Sequence, residues 1–286
     1  MPTQEFFSPV AFDFLWEAMR IGELPYPLQV RSHGATEDER SALRQRVNVE
    51  LKARGVRDGN GRLEPHVEDW LILLARPSLS IDALHIPDFQ APPVGILAAS
   101  DGKNAVVAIQ DADGIWVRPI YPEGLASTVV DLLPSSPRGT EASITLPLDE
   151  ALGVPPARSM AAATGPAVPA ESAEAAEQER GRRKDRKQAR ARGGLSERPT
   201  DPRQAYAQLA GQPRLRGGQL AANSRNSLGS RQRSPVLGWF DTASGRYLSL
   251  SRAGSDGREW VTVSPADPKT LRSRLGEMLA AVSDAR

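Results

Sequence analysis

Phe12, Leu15, Trp16 and Met19 recur at the three- and four-residue spacing of one helix face. Ser8 and Pro9 supply the start, a capping hydroxyl and then a backbone pre-set for the first turn, and the helix is expected to end near Gly22. Pro25 and Pro27 push their predecessors toward extended geometry, so 23–28 reads as a connector. Thr36 with Glu39 forms a capping box ahead of Leu43, Val47 and Leu51, and Gly55 closes that helix. After a turn at Asp58-Gly59-Asn60-Gly61, Val67, Trp70, Leu71 and Leu74 form another apolar stripe, stopped by Pro77. The first 77 residues are therefore predicted to be mainly helical.

From Leu79 the pattern changes to short β-like runs at 79–86, 94–99, 105–110 and 115–121, with Asp101-Gly102 and Asp113-Gly114 suited to hairpin turns. Pro122 then opens a predicted helix carrying Leu125, Val129, Leu132 and Leu133. The plan recurs near the C-terminus. Runs at 235–240, 246–252 and 259–263 precede a helix opened by Asp267 and Pro268, with Leu271, Leu275, Met278 and Leu279 on its apolar face. Both copies share the proline-to-apolar spacing of that helix, a seven-residue glycine interval (Gly95 and Gly102, Gly238 and Gly245) and a tryptophan in the last strand (Trp116, Trp260).

Extended backwards, 66–76 and 202–210 read as preceding helices, and 79–86 and 214–223 as leading strands, the second interrupted by Gly217-Gly218. The expected fold is α/β (α+β): a central antiparallel or mixed sheet with helical bundles, in two pseudo-symmetric α-β-β-β-α halves. The division reads as 1–150, then 155–200, then 201–286, forming one domain overall. Segment 155–200 is rich in Ala, Pro, Glu and Arg without an apolar period, so disorder is expected there.

Composition removes several chemistries. Thirty-six basic and 35 acidic residues in 286 leave a net charge of +1, which provides no global field to draw the chain to nucleic acid or anionic lipid. Cysteine is absent, so disulfides, thiolate nucleophiles and cysteine metal sites are excluded. The N-terminus lacks a basic region followed by an apolar run, so no signal peptide is expected and the default location is the cytoplasm. His33, His66 and His85 are far apart and unpaired in sequence, which argues against a metal site. No Gly-x-Ser-x-Gly elbow, phosphate loop or dinucleotide fingerprint is present. Asp111 and Asp113 fall in a predicted turn, where local hydrogen bonding accounts for them. No catalytic residue, metal or cofactor is expected.

Segment 180–192 holds eight basic residues and one acid, and Glu171, Glu174, Glu177 and Glu179 lie just before it. It contains no aromatic residue for base stacking, and a solvated linker is the favoured reading. A nucleic-acid-associated adaptor using this arm is the alternative. The main expectation is a protein-binding surface, with hairpin tips at Ser100–Asn104 and Ala243–Arg246 placing polar groups around an apolar centre. Adjacent Trp239 and Phe240 point to opposite strand faces, so one is expected in the core and the other exposed.

Three separated stretches resemble one family in order: Gly22-Glu23-Leu24-Pro25-Tyr26-Pro27-Leu28 running into Ser32-His33-Gly34-Ala35-Thr36; Leu74-Ala75-Arg76-Pro77; and Arg233-Ser234-Pro235-Val236-Leu237-Gly238-Trp239-Phe240-Asp241-Thr242 with Gly245-Arg246-Tyr247. They are similar to the EspG proteins of mycobacterial and related type VII secretion systems. The resemblance implies an antiparallel central sheet with pseudo-two-fold halves. It also implies a cytosolic chaperone, itself not exported, that binds the tip of a PPE protein within a PE–PPE heterodimer and keeps the apolar tip from aggregating. The family's contacts involve the central sheet, a loop between its strands and the C-terminal helical part. The matching positions are the 100–104 tip and the second half, so Ser100, Asp101, Lys103, Asn104, Trp239 and Phe240 are the candidate contacts.

Overall fold

The chain is described by a computed structural model over residues 4–88, 90–153 and 201–284. The disorder expected for 155–200, and the basic run within it, lie outside the described residues. Helix α1 (Pro9–Met19) starts where Ser8 accepts the Ala11 N–H, and it ends before Gly22 because Arg20 turns left-handed at φ 51°. The Trp16 indole then donates to the Gly22 carbonyl at 2.7 Å, fixing the exit. In α2 (Glu37–Ala53) the Thr36 hydroxyl accepts from the Glu39 N–H. The Glu39 carboxylate reaches back one residue past the cap, to the Ala35 N–H. Helix α3 (Pro65–Ala75) opens on its proline.

Strands β2 (Leu79–Ile86), β3 (Val94–Ser100), β4 (Ala105–Gln110) and β5 (Ile115–Ile120) form a meander. Pro122 opens a 3₁₀ turn, closed by the Gly124 N–H on the Tyr121 carbonyl, and the α-helix proper, α4 (Leu125–Leu132), starts after it. The second half contains α6 (Pro202–Ala210), β7 (Arg216–Arg225), β9 (Leu237–Thr242), β10 (Gly245–Ala253), β11 (Glu259–Pro265) and α7 (Pro268–Asp284). Four short elements have no counterpart in the sequence reading: β1 (Glu5–Phe7), β6 (Ile144–Pro147), α5 (Leu148–Gly153) and β8 (Arg231–Arg233).

The sheet has 11 strands in the order β1-β5-β4-β3-β2-β7-β9-β10-β11-β6, with β8 paired to β7, and neighbouring strands in it are antiparallel. Its centre is the β2–β7 pairing, from Leu79 opposite Ser224 to Ile86 opposite Gly217. Each half runs outward from there through four meander strands, one more than in α-β-β-β-α, and closes on an edge strand from upstream, β1 or β6. Because β6 pairs with β11, residues 144–147 lie on the second half's side of the sheet although they fall within 1–150.

Gly217 and Gly218 do not break β7. A Cβ at 218 would stand 1.9 Å from the Leu84 carbonyl oxygen and 2.7 Å from the Trp239 Nε1, so only glycine fits between these neighbours.

Strand alternation sorts the core. Ile81, Ala83, Ile96, Ala98, Leu220, Trp239 and Leu248 face α4 and α7. On the other face, Leu97, Ala99, Val106 and Val117 pack with α1–α3, while Phe240, Tyr247, Val261 and Val263 pack with residues of α5, α6 and β6. Between those two helical groups the central strands present Ser80, Asp82 and Asn223 to a groove.

Candidate partner-docking face

That groove encloses about 940 Å³ and is walled by Leu24, Pro25 and Tyr26 of the connector and by Arg233 of β8. Asp82 is buried at its floor and accepts both Arg233 Nη1 (2.6 Å) and Nη2 (2.9 Å), with Asn223 Nδ2 at 2.6 Å. The two-nitrogen grip compensates a carboxylate that would be costly to bury alone. The Arg233 guanidinium also lies 5.7 Å from the centre of the Tyr26 ring. Burial pushes the Tyr26 phenol up, the Asp82 charge adds to that, and the Arg233 charge opposes it.

The β3–β4 turn is braced from within. Asp101 Oδ1 accepts the Lys103 and Asn104 N–H groups at 2.8 and 2.7 Å, and the Asn104 bond is the largest cause holding this carboxyl below its ordinary range. Gly102 takes φ 95° at the bend. Ser100 is buried, donates to the Asn104 carbonyl and accepts from the Gly102 N–H. Ser100 is thus a brace whose hydroxyl is already used. Asp101, Lys103 and Asn104 remain exposed at the tip.

Trp239 and Phe240 do not divide into one buried and one exposed. Their rings enter different cores on opposite faces, and both faces are covered there, leaving 2% and 7% exposure. Neither offers a surface to a partner directly. Beside Trp239, the Asp241 carboxylate takes Arg246 Nε at 2.7 Å, Arg246 Nη2 at 2.9 Å and Arg216 Nε at 2.7 Å, and the Arg246 guanidinium stacks 4.5 Å from the Trp239 ring. Burial raises the Asp241 pKa, but the bonds from Arg246 and Arg216 outweigh it and hold the carboxyl below its ordinary range. Arg246 and Arg216 also donate to the carbonyls of Pro134 and Ser135, which stitches the 134–139 connection to the sheet.

The two hairpin tips do not frame one surface. Ser100 lies opposite Leu79, and Ser224 is also opposite Leu79, so the 100–104 turn sits where β2 begins and β7 finishes. Asp241 pairs with Arg216, which puts the 243–246 turn where β7 starts, at the other end of the sheet. Arg246, counted in that tip, is buried.

The histidines remain apart. His33 Nδ1 lies 3.4 Å from Asp13, His66 packs on Trp70 and His85 on Trp239. Among the described residues there is no group of three or more His, Asp or Glu side chains arranged to hold a metal. Asp111 caps its own turn through the Asp113 and Gly114 N–H groups. Among the described residues no helix is long and apolar enough to cross a membrane. The sequence reading missed the Asp82–Arg233–Asn223 network, although an aspartate inside the apolar run 79–86 signals a buried partner.

Comparison with known proteins agrees with this architecture. The ESX-1 secretion-associated protein EspG1 of Mycobacterium tuberculosis (strain ATCC 25618 / H37Rv) is 27% identical over 128 residues, covering 44% of this chain and 45% of the relative, so the match spans about half of that protein's length. The structure of the M. tuberculosis type VII secretion system chaperone EspG5 in complex with the PE25–PPE41 dimer superposes with a TM-score of 0.63 at 15% identity. That fold match covers 98% of this chain and 96% of the other. The sequence model of the EspG family runs from residue 8 to 277, across both halves of the sheet, and the chain belongs to that family.

Proposed function

We propose that this chain is a chaperone of type VII secretion that binds a PE–PPE-type heterodimer through the PPE tip and keeps it soluble until export. The observation that carries the reading is family membership over residues 8–277, together with the fold shared with EspG5, a chaperone described in complex with PE25–PPE41. A helical partner with an exposed apolar end self-associates, and covering that end removes the driving force. The work is done in the cytoplasm, before export. It requires a complementary surface and no reacting group, so the role is binding without catalysis or cofactor.

The groove over β2 and β7 supplies such a surface, apolar at Leu24 and Tyr26 and polar at its rim. Asp101, Lys103 and Asn104 stand at the same end of the sheet and extend it. Ser100 braces that tip from within, while Trp239 and Phe240, covered near the other end of the sheet, support the sheet and do not line this surface.

The test is co-expression of the chain with each PE–PPE-type pair of its host, followed by size-exclusion chromatography. A discrete complex with one pair, and aggregation of that pair when expressed without the chain, is the expected result. Elution of the chain alone in every combination would overturn the proposal.

A further inference from the structure

Where β2 begins and β7 finishes, three arginines converge with no carboxylate partner among the described residues. Arg76 follows α3, Arg225 ends β7 and Arg231 opens β8, and the last two are directly opposite each other in the hairpin. The Arg225 N–H donates to the Ser78 carbonyl at 2.9 Å, which holds the hairpin beside Arg76. Burial lowers the Arg225 pKa, and the charges of Arg231 and Arg76 lower it further, as mutual repulsion requires. Arg40, Arg54, Arg203, Arg246 and Arg258 each have a carboxylate oxygen within 3.1 Å, whereas Arg76, Arg225 and Arg231 line one groove together without such a partner among the described residues.

Like charges directly opposite on a strand pair cost stability. Nothing in the described fold offsets that cost, since the nearby Asp82 is already gripped by Arg233. By the two-residue period, Arg225 and Arg231 project on the same face as Asn223 and Arg233, the face that opens into the groove. At the turn of the same hairpin Leu228 is 91% exposed, an apolar side chain offered next to the charges. Positive charge left uncompensated at the mouth of a partly apolar groove complements an acidic protein tip.

We propose that Arg76, Arg225 and Arg231 form the specificity element of the docking face, receiving carboxylates on the apolar tip of the secreted helical partner. The inference rests on the chaperone reading above and adds the chemistry by which one partner is chosen. Arginine forks bind carboxylates through two parallel hydrogen bonds, which gives direction as well as attraction. A partner with lysine at the facing positions is rejected by repulsion. A protein tip is favoured over nucleic acid because the groove beside these arginines is also lined by apolar Leu24 and Tyr26.

The experiment uses the full chain and the PE–PPE-type pair that co-purifies with it. Affinity is measured by calorimetry for wild type, Arg225→Glu/Arg231→Glu and the neutral Arg225→Gln/Arg231→Gln. Loss of about 30-fold or more in the glutamate variant, a smaller loss in the glutamine variant, and weaker wild-type binding at about 500 mM than at about 50 mM sodium chloride are expected. Removing the repulsion gives the glutamine variant a Tm equal to or above wild type, so its loss of binding is not loss of fold. Recovery of the glutamate variant by acid-to-lysine changes on the partner tip identifies the facing residues. Unchanged affinity in both variants overturns the inference and leaves the chaperone reading standing. Loss of duplex-DNA binding in the variants, with the PE–PPE complex unaffected, assigns the rim to nucleic acid and also overturns it. A wild-type chain that binds no PE–PPE pair removes both.

Discussion

Asp241 holds together the end of the sheet opposite the arginine rim, since two arginines and, through them, the 134–139 connection depend on its one carboxylate. Asp241→Asn leaves the buried Arg246 without its counter-charge and is expected to cost about 3–5 kcal/mol of unfolding free energy in urea titrations. Because the folded-state carboxyl sits below its ordinary 3.8, its contribution is complete above about pH 4 and is lost as the pH falls through the lower folded value. His85 acts over a different window. Burial, then the charges of Arg216 and Arg246, push its pKa below the ordinary 6.5. The unfolded chain therefore takes up that proton first, and stability declines as pH falls below about 6.5. A His85→Phe variant should show a flatter stability profile between about pH 7 and 5 than wild type, measured by thermal unfolding. A profile identical to wild type would show that His85 is not the group responsible.

Single elements follow from their own short stretches of sequence where they are long and capped. The Ser8 and Thr36 caps, the Pro65 start and the Asp267 side chain, which accepts from the Thr270 N–H at 2.7 Å, all act within a few residues of the helices they open. In α7 the buried stripe includes Leu271 and Leu275. Leu275→Ala should cost about 2–5 kcal/mol, because the cavity would open between α7 and the sheet. On the same helix Gly276 is exposed, and an added Cβ meets nothing within 4 Å. Gly276→Ala should therefore raise stability by about 0.5–1 kcal/mol, a gain readable as a higher urea midpoint. The short strands are different. β1 and β8 have three residues each and β6 has four, too few for a two-residue alternation to stand out. They are strands because a neighbour offers an edge.

At the scale of the whole molecule the two halves share one sheet, and the β2–β7 pairing is supported by α4 packed on α7 across the apolar face. Cutting the chain at a protease site engineered into 154–200 should leave the two fragments co-eluting in size-exclusion chromatography, and separate elution would show that the central pairing alone does not hold them. The repeat and the helical and strand-rich stretches were readable from spacing, caps and turn residues, since those signals act within a dozen or so neighbours, and the family resemblance was readable from three short stretches of similar residues in order. Other features were not legible there. That the 100–104 and 243–246 turns point to opposite ends, that Trp239 and Phe240 are both covered, and that Arg76 meets the β7–β8 hairpin all follow from pairing β2 with β7. Such contacts join residues far apart along the chain, and the free energy that selects them comes from the assembled sheet and its covering helices. No local stretch contains it.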